Sequence, residues 1–214
     1  MSLNTLRKIT GTALLFYGSF LCGCDTVRGT GHLQVDHGTP ETVWQSMDAA
    51  ISAKDYGAYL DCYAPRCQDM ADPGLAAHKR CRESAVAAAQ AIKERFGDRE
   101  YIQFMRRNNV DRVLWGRSPL ETLRDGNKIS WDGAEVAVAG DRATCRKKGS
   151  SEILLEAGRY SGKWYVVPHD EAEFDIGCKT AQVWYADWRR ALDDLANRVK
   201  RNEIRREELE EILK

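Results

Sequence analysis

Gly158-Arg159-Tyr160-Ser161-Gly162-Lys163-Trp164-Tyr165-Val166-Val167 is the stretch that decides the fold. Aromatic and β-branched residues flank Ser161-Gly162, which reads as two strands joined by a two-residue turn. A turn that tight joins only antiparallel neighbours. Residues 152–160 and 163–167 are therefore expected as a hairpin. Working back from it, residues 142–147 read as a strand with Ala143 and Cys145 on one face. Ala134-Glu135-Val136-Ala137-Val138 alternates with period two, and Gly140-Asp141 and Lys148-Gly149-Ser150 supply turns. Val110, Val113-Leu114-Trp115 and residues 128–138 share the β-branched and aromatic character. This part of the chain predicts an antiparallel meander.

The residues before it have helical periods. Thr39-Pro40-Glu41 combines a capping hydroxyl, a proline for the first helical position and an acid for the helix dipole. Val43, Trp44, Met47, Ala50 and Ile51 then define a buried stripe. Lys54-Asp55 interrupts it, and residues 56–63 form a second short helix with Tyr56, Tyr59, Leu60 and Tyr63 inward, ended by Pro65. Residues 64–74, with Pro65, Pro73 and Gly74, read as a loop. Residues 75–96 form a long alanine-rich helix stopped by Gly97, on which Ala77, Cys81, Ala85, Ala88, Ile92 and Phe96 make a close-packing stripe. Residues 99–108 form another helix with Tyr101, Ile102 and Met105 inward.

Thr39-Pro40-Glu41-Thr42-Val43-Trp44 through Lys54-Asp55-Tyr56-Gly57-Ala58-Tyr59 resembles the opening helix pair of nuclear-transport-factor-2-like proteins. The Gly-Lys-Trp turn at Gly162-Lys163-Trp164 resembles their closing hairpin. The resemblance covers residues 39–168. It implies an α+β fold, with N-terminal helices packed on a curved, cone-like antiparallel sheet. Such a cone makes a concave pocket, which Trp44, Tyr59, Tyr63, Trp131 and Trp164 would either line or simply fill.

After residue 168 a C-terminal arm begins. Gly177 reads as a break, with helix from Lys179 to the end of the sequence. A heptad seam runs through Tyr185, Trp188, Leu192, Leu195, Val199, Asn202, Arg206, Leu209 and Leu213. Asn202 and Arg206 spoil its second half. The first half is expected on the body and the second half in solvent, a helix of ~35 residues reaching ~50 Å. Its alternatives are a solvated spike and a self-association surface.

The N-terminus has a character of its own. Arg7-Lys8 precedes an uncharged apolar run ending at Leu21-Cys22-Gly23-Cys24. A basic start, a short apolar run and a small residue at a cut site describe a secretory signal peptide. Leu21, Gly23 and Cys24 resemble a bacterial lipobox, with Cys24 as the first mature residue. In that family the cysteine carries two or three acyl chains, enough for stable anchoring. The expected organisation is signal peptide 1–23, flexible tether 24–38 with solvated His32 and His37, body 39–168 and arm 169–214. The expected location is the cell envelope, with the membrane as partner through Cys24 and an envelope protein or a second copy as further candidates.

Removing residues 1–23 takes away Arg7 and Lys8 and no acid, for a net charge of about −2, which offers no footprint for nucleic acid. Cys62, Cys67, Cys81, Cys145 and Cys178 remain beyond Cys24, and export predicts disulfides among them. The favoured bridge joins Cys81 to Cys67 or Cys62; a second joins Cys145 to Cys178. The alternative is a zinc site from Cys62, Cys67, His78 and Cys81, whose spacing is poor, so no metal is expected. No cofactor motif, nucleophile elbow or phosphate loop is present. Asp61 or Asp132 with Tyr59 or Tyr63 could in principle serve a pocket isomerase or hydrolyase of the ketosteroid isomerase type. A non-catalytic binding or interaction module is the preferred reading. A buried carboxylate facing a tyrosine would favour the enzyme; an interior plugged by tryptophans would favour the module.

Overall fold

The computed structural model describes residues 32–108, 118–126 and 128–213. The signal segment, Cys24 and the strand-like residues Val110 and 113–115 lie outside the described residues. The described chain is α+β, with six helices and two antiparallel sheets.

Helix α1 (Pro40–Ala53) starts as its sequence dictates. Thr39 accepts from the Thr42 amide, the Thr42 hydroxyl accepts from the Thr39 amide, and Pro40 is the first helical residue. Lys54, left-handed at φ 57°, ends it. Asp55 then caps α2 (Tyr56–Asp61) through the Ala58 amide. Pro65 does not end a helix but begins one. Helix α3 (Pro65–Phe96) absorbs the residues expected as a loop. Pro65 is harmless at the first turn, where amides have no helical acceptor. Pro73 sits inside the helix on its exposed side, as does Asp69, so the Asp69 carbonyl left without a donor faces water. Helix α4 (Asp98–Asn108) turns back with Phe104 buried. Ile102, expected inward, is 45% exposed.

A 3-10 turn (Pro119–Leu123) leads into the two-stranded pair β1 (Arg124–Asp125) and β2 (Lys128–Ile129). A second 3-10 turn (Trp131–Gly133) precedes the main sheet. Its strands β3 (Ala134–Ala139), β4 (Arg142–Lys147), β5 (Ile153–Tyr160) and β6 (Lys163–Val167) pair consecutively and antiparallel. This is the expected meander. Ser161 and Gly162, both at positive φ (49° and 80°), close the β5–β6 hairpin as a two-residue turn requires.

Helix α5 (Glu171–Lys200) runs straight through Gly177, and α6 (Arg206–Ile212) folds back. The expected spike is therefore absent among the described residues. The reversal falls at Asn202, left-handed at φ 61°, one of the two polar residues that interrupt the heptad seam. The other, Arg206, donates to the buried Glu100 carboxylate (2.6 Å) and to the Phe96 carbonyl (3.2 Å).

Two cores result. One joins α1 and α2 to the sheet through Val43, Trp44, Met47, Tyr63, Cys145, Ala157, Trp164 and Val166. The other is wholly helical, with Ala85, Ala88, Ile92, Phe104, Trp188, Leu192, Val199, Ile204, Leu209 and Leu213. Helices α3 and α5 run parallel, with Gly74 against Cys178, His78 against Tyr185 and the Arg95 guanidinium on the Val199 carbonyl. The alanine stripe of α3 is what admits the large side chains of α5.

Candidate functional site

The five aromatics singled out from sequence do come together, all within the core beneath the sheet. Trp44 and Trp164 project from α1 and β6 and are buried, as is Tyr63; Tyr59 and Trp131 pack against them partly buried. Trp44 and Trp131 stack at 6.3 Å between ring centroids. The Tyr59 and Tyr63 hydroxyls bond each other at 2.9 Å, and Phe174 of α5 covers Tyr63. Burial pushes both phenols upward, Tyr63 strongly. Each phenol therefore stays protonated at neutral pH.

The acids proposed to work with them are elsewhere. The Asp61 side chain is 53% exposed and binds His32 at 3.1 Å; Asp132 is exposed on the second 3-10 turn. Neither forms a buried carboxylate facing Tyr59 or Tyr63. The buried acid next to this core is Asp48 of α1, ion-paired with Arg124 of β1. Arg124 Nε also holds Glu121 at 3.2 Å. Asp48 was legible as an anomaly: it lies beside Met47 on the apolar stripe of α1, where an acid requires a partner.

The cysteines do not form the expected bridges. Cys67 and Cys81 are fourteen positions apart on one unbroken helix, so ~21 Å apart. Their Cα atoms would need to lie within ~7 Å. Cys62 is three residues from Pro65, an extended reach of ~11 Å, while Pro65 to Cys81 is ~24 Å of helix. That leaves Cys62 and Cys81 at least ~13 Å apart. All five thiols are free. Cys145 lies buried in the sheet core near Glu41, whereas Cys178 sits on α5 near Asp175 and Cys67. Burial raises every one, Cys62 and Cys81 to about 12 and Cys145 to about 11, so none is a ready nucleophile. The same spread along α3 separates the four candidate zinc ligands. Among the described residues, no group of three or more His, Cys, Asp or Glu side chains is arranged to hold a metal ion.

Comparison with protein families, curated proteins and solved structures finds no match to this chain.

What sequence reading missed is a strap. Residues 32–38 are not a free tether but lie against the body. His32 sits between Asp55 (3.3 Å) and Asp61 (3.1 Å), and the Leu33 amide donates to Asp55 (2.9 Å). The Asp36 amide donates to Ser46 (3.0 Å). His37 clasps β6 twice: its Nδ1–H donates to the Trp164 carbonyl (2.7 Å) and its own carbonyl accepts from the Trp164 amide (3.0 Å). Asp61 first, then Asp55, raises the His32 pKa. Burial works to raise the Asp55 pKa, but the Leu33 and Ala58 amides and His32 outweigh it and the net shift is downward. Two surface concavities, about 630 and 260 Å³, flank this strap, and no interior aromatic lines either.

At the far side of the sheet, buried Glu156 of β5 accepts from His169 Nδ1 (2.5 Å), with Arg142 at 3.8 Å. His169 precedes Asp170, the cap of α5, so this contact fixes where α5 leaves the sheet. No described helix is long and apolar enough to cross a membrane.

Proposed function

We propose that this chain is an exported lipoprotein, anchored to a bilayer by acyl chains on Cys24. Its body is a non-catalytic interaction module of the cell envelope, built on a nuclear-transport-factor-2-like, cone-shaped α+β domain. The observation that carries the non-catalytic reading is the interior. Trp44, Trp164 and Tyr63 occupy the space a substrate would need, the two phenols are hydrogen-bonded to each other, and Asp61 and Asp132 face solvent. General acid–base work on a carbonyl needs a carboxylate and a donor converging on one empty volume. Here the aromatics fill the volume and the acids point away from it.

The strap adds a geometric consequence. Only seven residues lie between Cys24 and His32, so the eight chain steps span at most ~28 Å even fully extended. A lipid on Cys24 would hold the body close to the headgroups, with the strap and its two flanking concavities near the membrane. Partners are then proteins of the envelope, and nucleic acid is not among them.

Metabolic labelling with an alkyne fatty acid tests the anchor. The parent chain should take up label and sediment with membranes after a carbonate wash. Cys24→Ser should take up none and keep its signal segment. Cleavage at the same bond with retained membrane binding in Cys24→Ser would overturn the proposal.

A further inference from the structure

We propose that the β3 edge of the main sheet, unpaired among the described residues, is a self-association surface, on which β3 pairs antiparallel with β3 of a second copy about a two-fold axis through Ala137. The two edges of this sheet differ. On β6 the chain covers itself: the Trp164 amide donates to the His37 carbonyl, the Val166 amide to Cys62 (2.8 Å), and the Val166 carbonyl accepts from Ala64 (3.1 Å). On β3 the only strand neighbour among the described residues is β4.

Two bonds fix which backbone groups of β3 are left over. The Gly133 carbonyl accepts from the Lys148 amide (2.9 Å), so position 133 faces β4. The Ala134 amide turns away, to the Trp131 carbonyl. Positions alternate in an antiparallel ladder, so Glu135, Ala137 and Ala139 bond β4 while Val136 and Val138 aim N–H and C=O outward. No proline or lysine lies in β3, and its register with β4 is unbroken. Those are the usual protections of an exposed edge, and they are missing.

The sequence of β3 makes a second copy the fitting occupant. With the axis at Ala137, Val136 lies opposite Val138 of the other copy, and both carry the outward groups, so the bonds are in phase. Glu135 lies opposite Ala139, so the one charge on the strand never meets its equal. Val138, 56% exposed, gains a valine neighbour on its own face. The pairing also closes. The β6 edges are covered, so association stops at a dimer with a continuous eight-stranded sheet. This inference stands on the strand alone and does not need the lipid anchor.

Oxidative cross-linking of the full-length chain tests it. At a two-fold axis on a non-bonded pair, Cα atoms are ~4.5 Å apart, within disulfide range. Ala137→Cys should therefore form dimers with copper phenanthroline. Ala139→Cys, on the same exposed face, would be ~14 Å from its mate, four residues along and one strand across. The expected result is at least tenfold more dimer for Ala137→Cys than for Ala139→Cys or the parent, abolished by adding Val138→Lys. Sedimentation of the parent chain in detergent should give a dimer, and of Val138→Lys alone a monomer. Equal cross-linking at 137 and 139, none at 137 in folded protein, or a monomeric parent would each overturn the pairing.

Discussion

Gly74 of α3 lies so close to Cys178 of α5 that a Cβ at position 74 would stand 3.3 Å from the Cys178 carbonyl oxygen. The neighbour is helix backbone, which cannot swing aside as a side chain can. Gly74 is therefore the residue that sets the spacing of the two longest helices at this end. Gly74→Ala gains up to ~1 kcal/mol of helix propensity against a tight contact, and is expected within ~1 kcal/mol of the parent. Gly74→Val adds branched bulk with no room and should lose ~1–3 kcal/mol. Urea denaturation of both variants checks the order; a Gly74→Val chain as stable as the parent would show that α5 is free to shift.

The Asp48–Arg124 pair ties α1 to β1 beside the aromatic core, with both side chains largely covered. Removing one partner leaves a charge with little water. Arg124→Met should cost ~3–5 kcal/mol by chemical denaturation, and the double variant Asp48→Leu, Arg124→Met should recover most of that loss. Recovery, rather than the single loss, is the informative outcome, because it separates an orphaned charge from lost packing.

Glu156 raises the His169 pKa, through the hydrogen bond first and then through charge. A histidine whose folded pKa lies above its unfolded value lends stability that is full below ~6.5 and disappears as pH rises through the folded pKa. As pH rises through this range, the denaturation midpoint of the parent should fall relative to that of Glu156→Gln. His32 acts with the same sign. His32→Ala in the Glu156→Gln background should remove the remaining downward contribution.

His78 works in the opposite direction. Buried between the rings of Tyr56 and Tyr185, it is held down to about 4 by burial and then by Arg82. The unfolded chain takes up a proton near 6.5 that the folded chain refuses, so stability falls as pH drops from ~6.5 towards 4. The full extent is about 3 kcal/mol. His78→Phe keeps the ring stack and removes the proton. Its denaturation midpoint should hold steady over that range while that of the parent declines.

How much of this was readable from sequence depends on whether the signal was local. The hairpin was readable because Ser161-Gly162 admits one turn and the flanking residues one conformation. Thr39-Pro40 was readable because the capping chemistry lies within four residues. Residues 64–74 were misread because Pro65 and Pro73 are helix breakers in general, yet one stands at a first turn and the other on a wet face. The disulfide expectation fell with that loop: a helix replaced the flexible reach that would have brought Cys81 to Cys67. The strap was invisible because His32 and His37 find partners in Asp55, Asp61 and Trp164, remote in sequence. The aromatic set was found from residue type, whereas whether those side chains line a pocket or pack on one another depends on tertiary volumes that no spacing encodes.

The last turn of the chain offers the sharpest difference between a projecting arm and a folded one. Asn202 and Arg206 looked like flaws in a heptad, but the first makes the reversal and the second pins α6 to Glu100 and Phe96. Arg198 adds a bond to Glu208 (2.5 Å) across the same turn. Ile204, Leu209 and Leu213 are thereby buried beside Phe104 and Val199. Cutting the chain after Lys200 would uncover that cluster. Each buried leucine or isoleucine removed is worth ~1.5–3 kcal/mol in transfer terms alone, so the truncated chain should be severely destabilised and should bind a hydrophobic dye. Leu209→Ala, a milder change, should cost ~2–5 kcal/mol. An arm that stood in solvent would lose nothing in either variant, so thermal melting of the Leu209→Ala chain at the parent temperature would rule out the tucked α6.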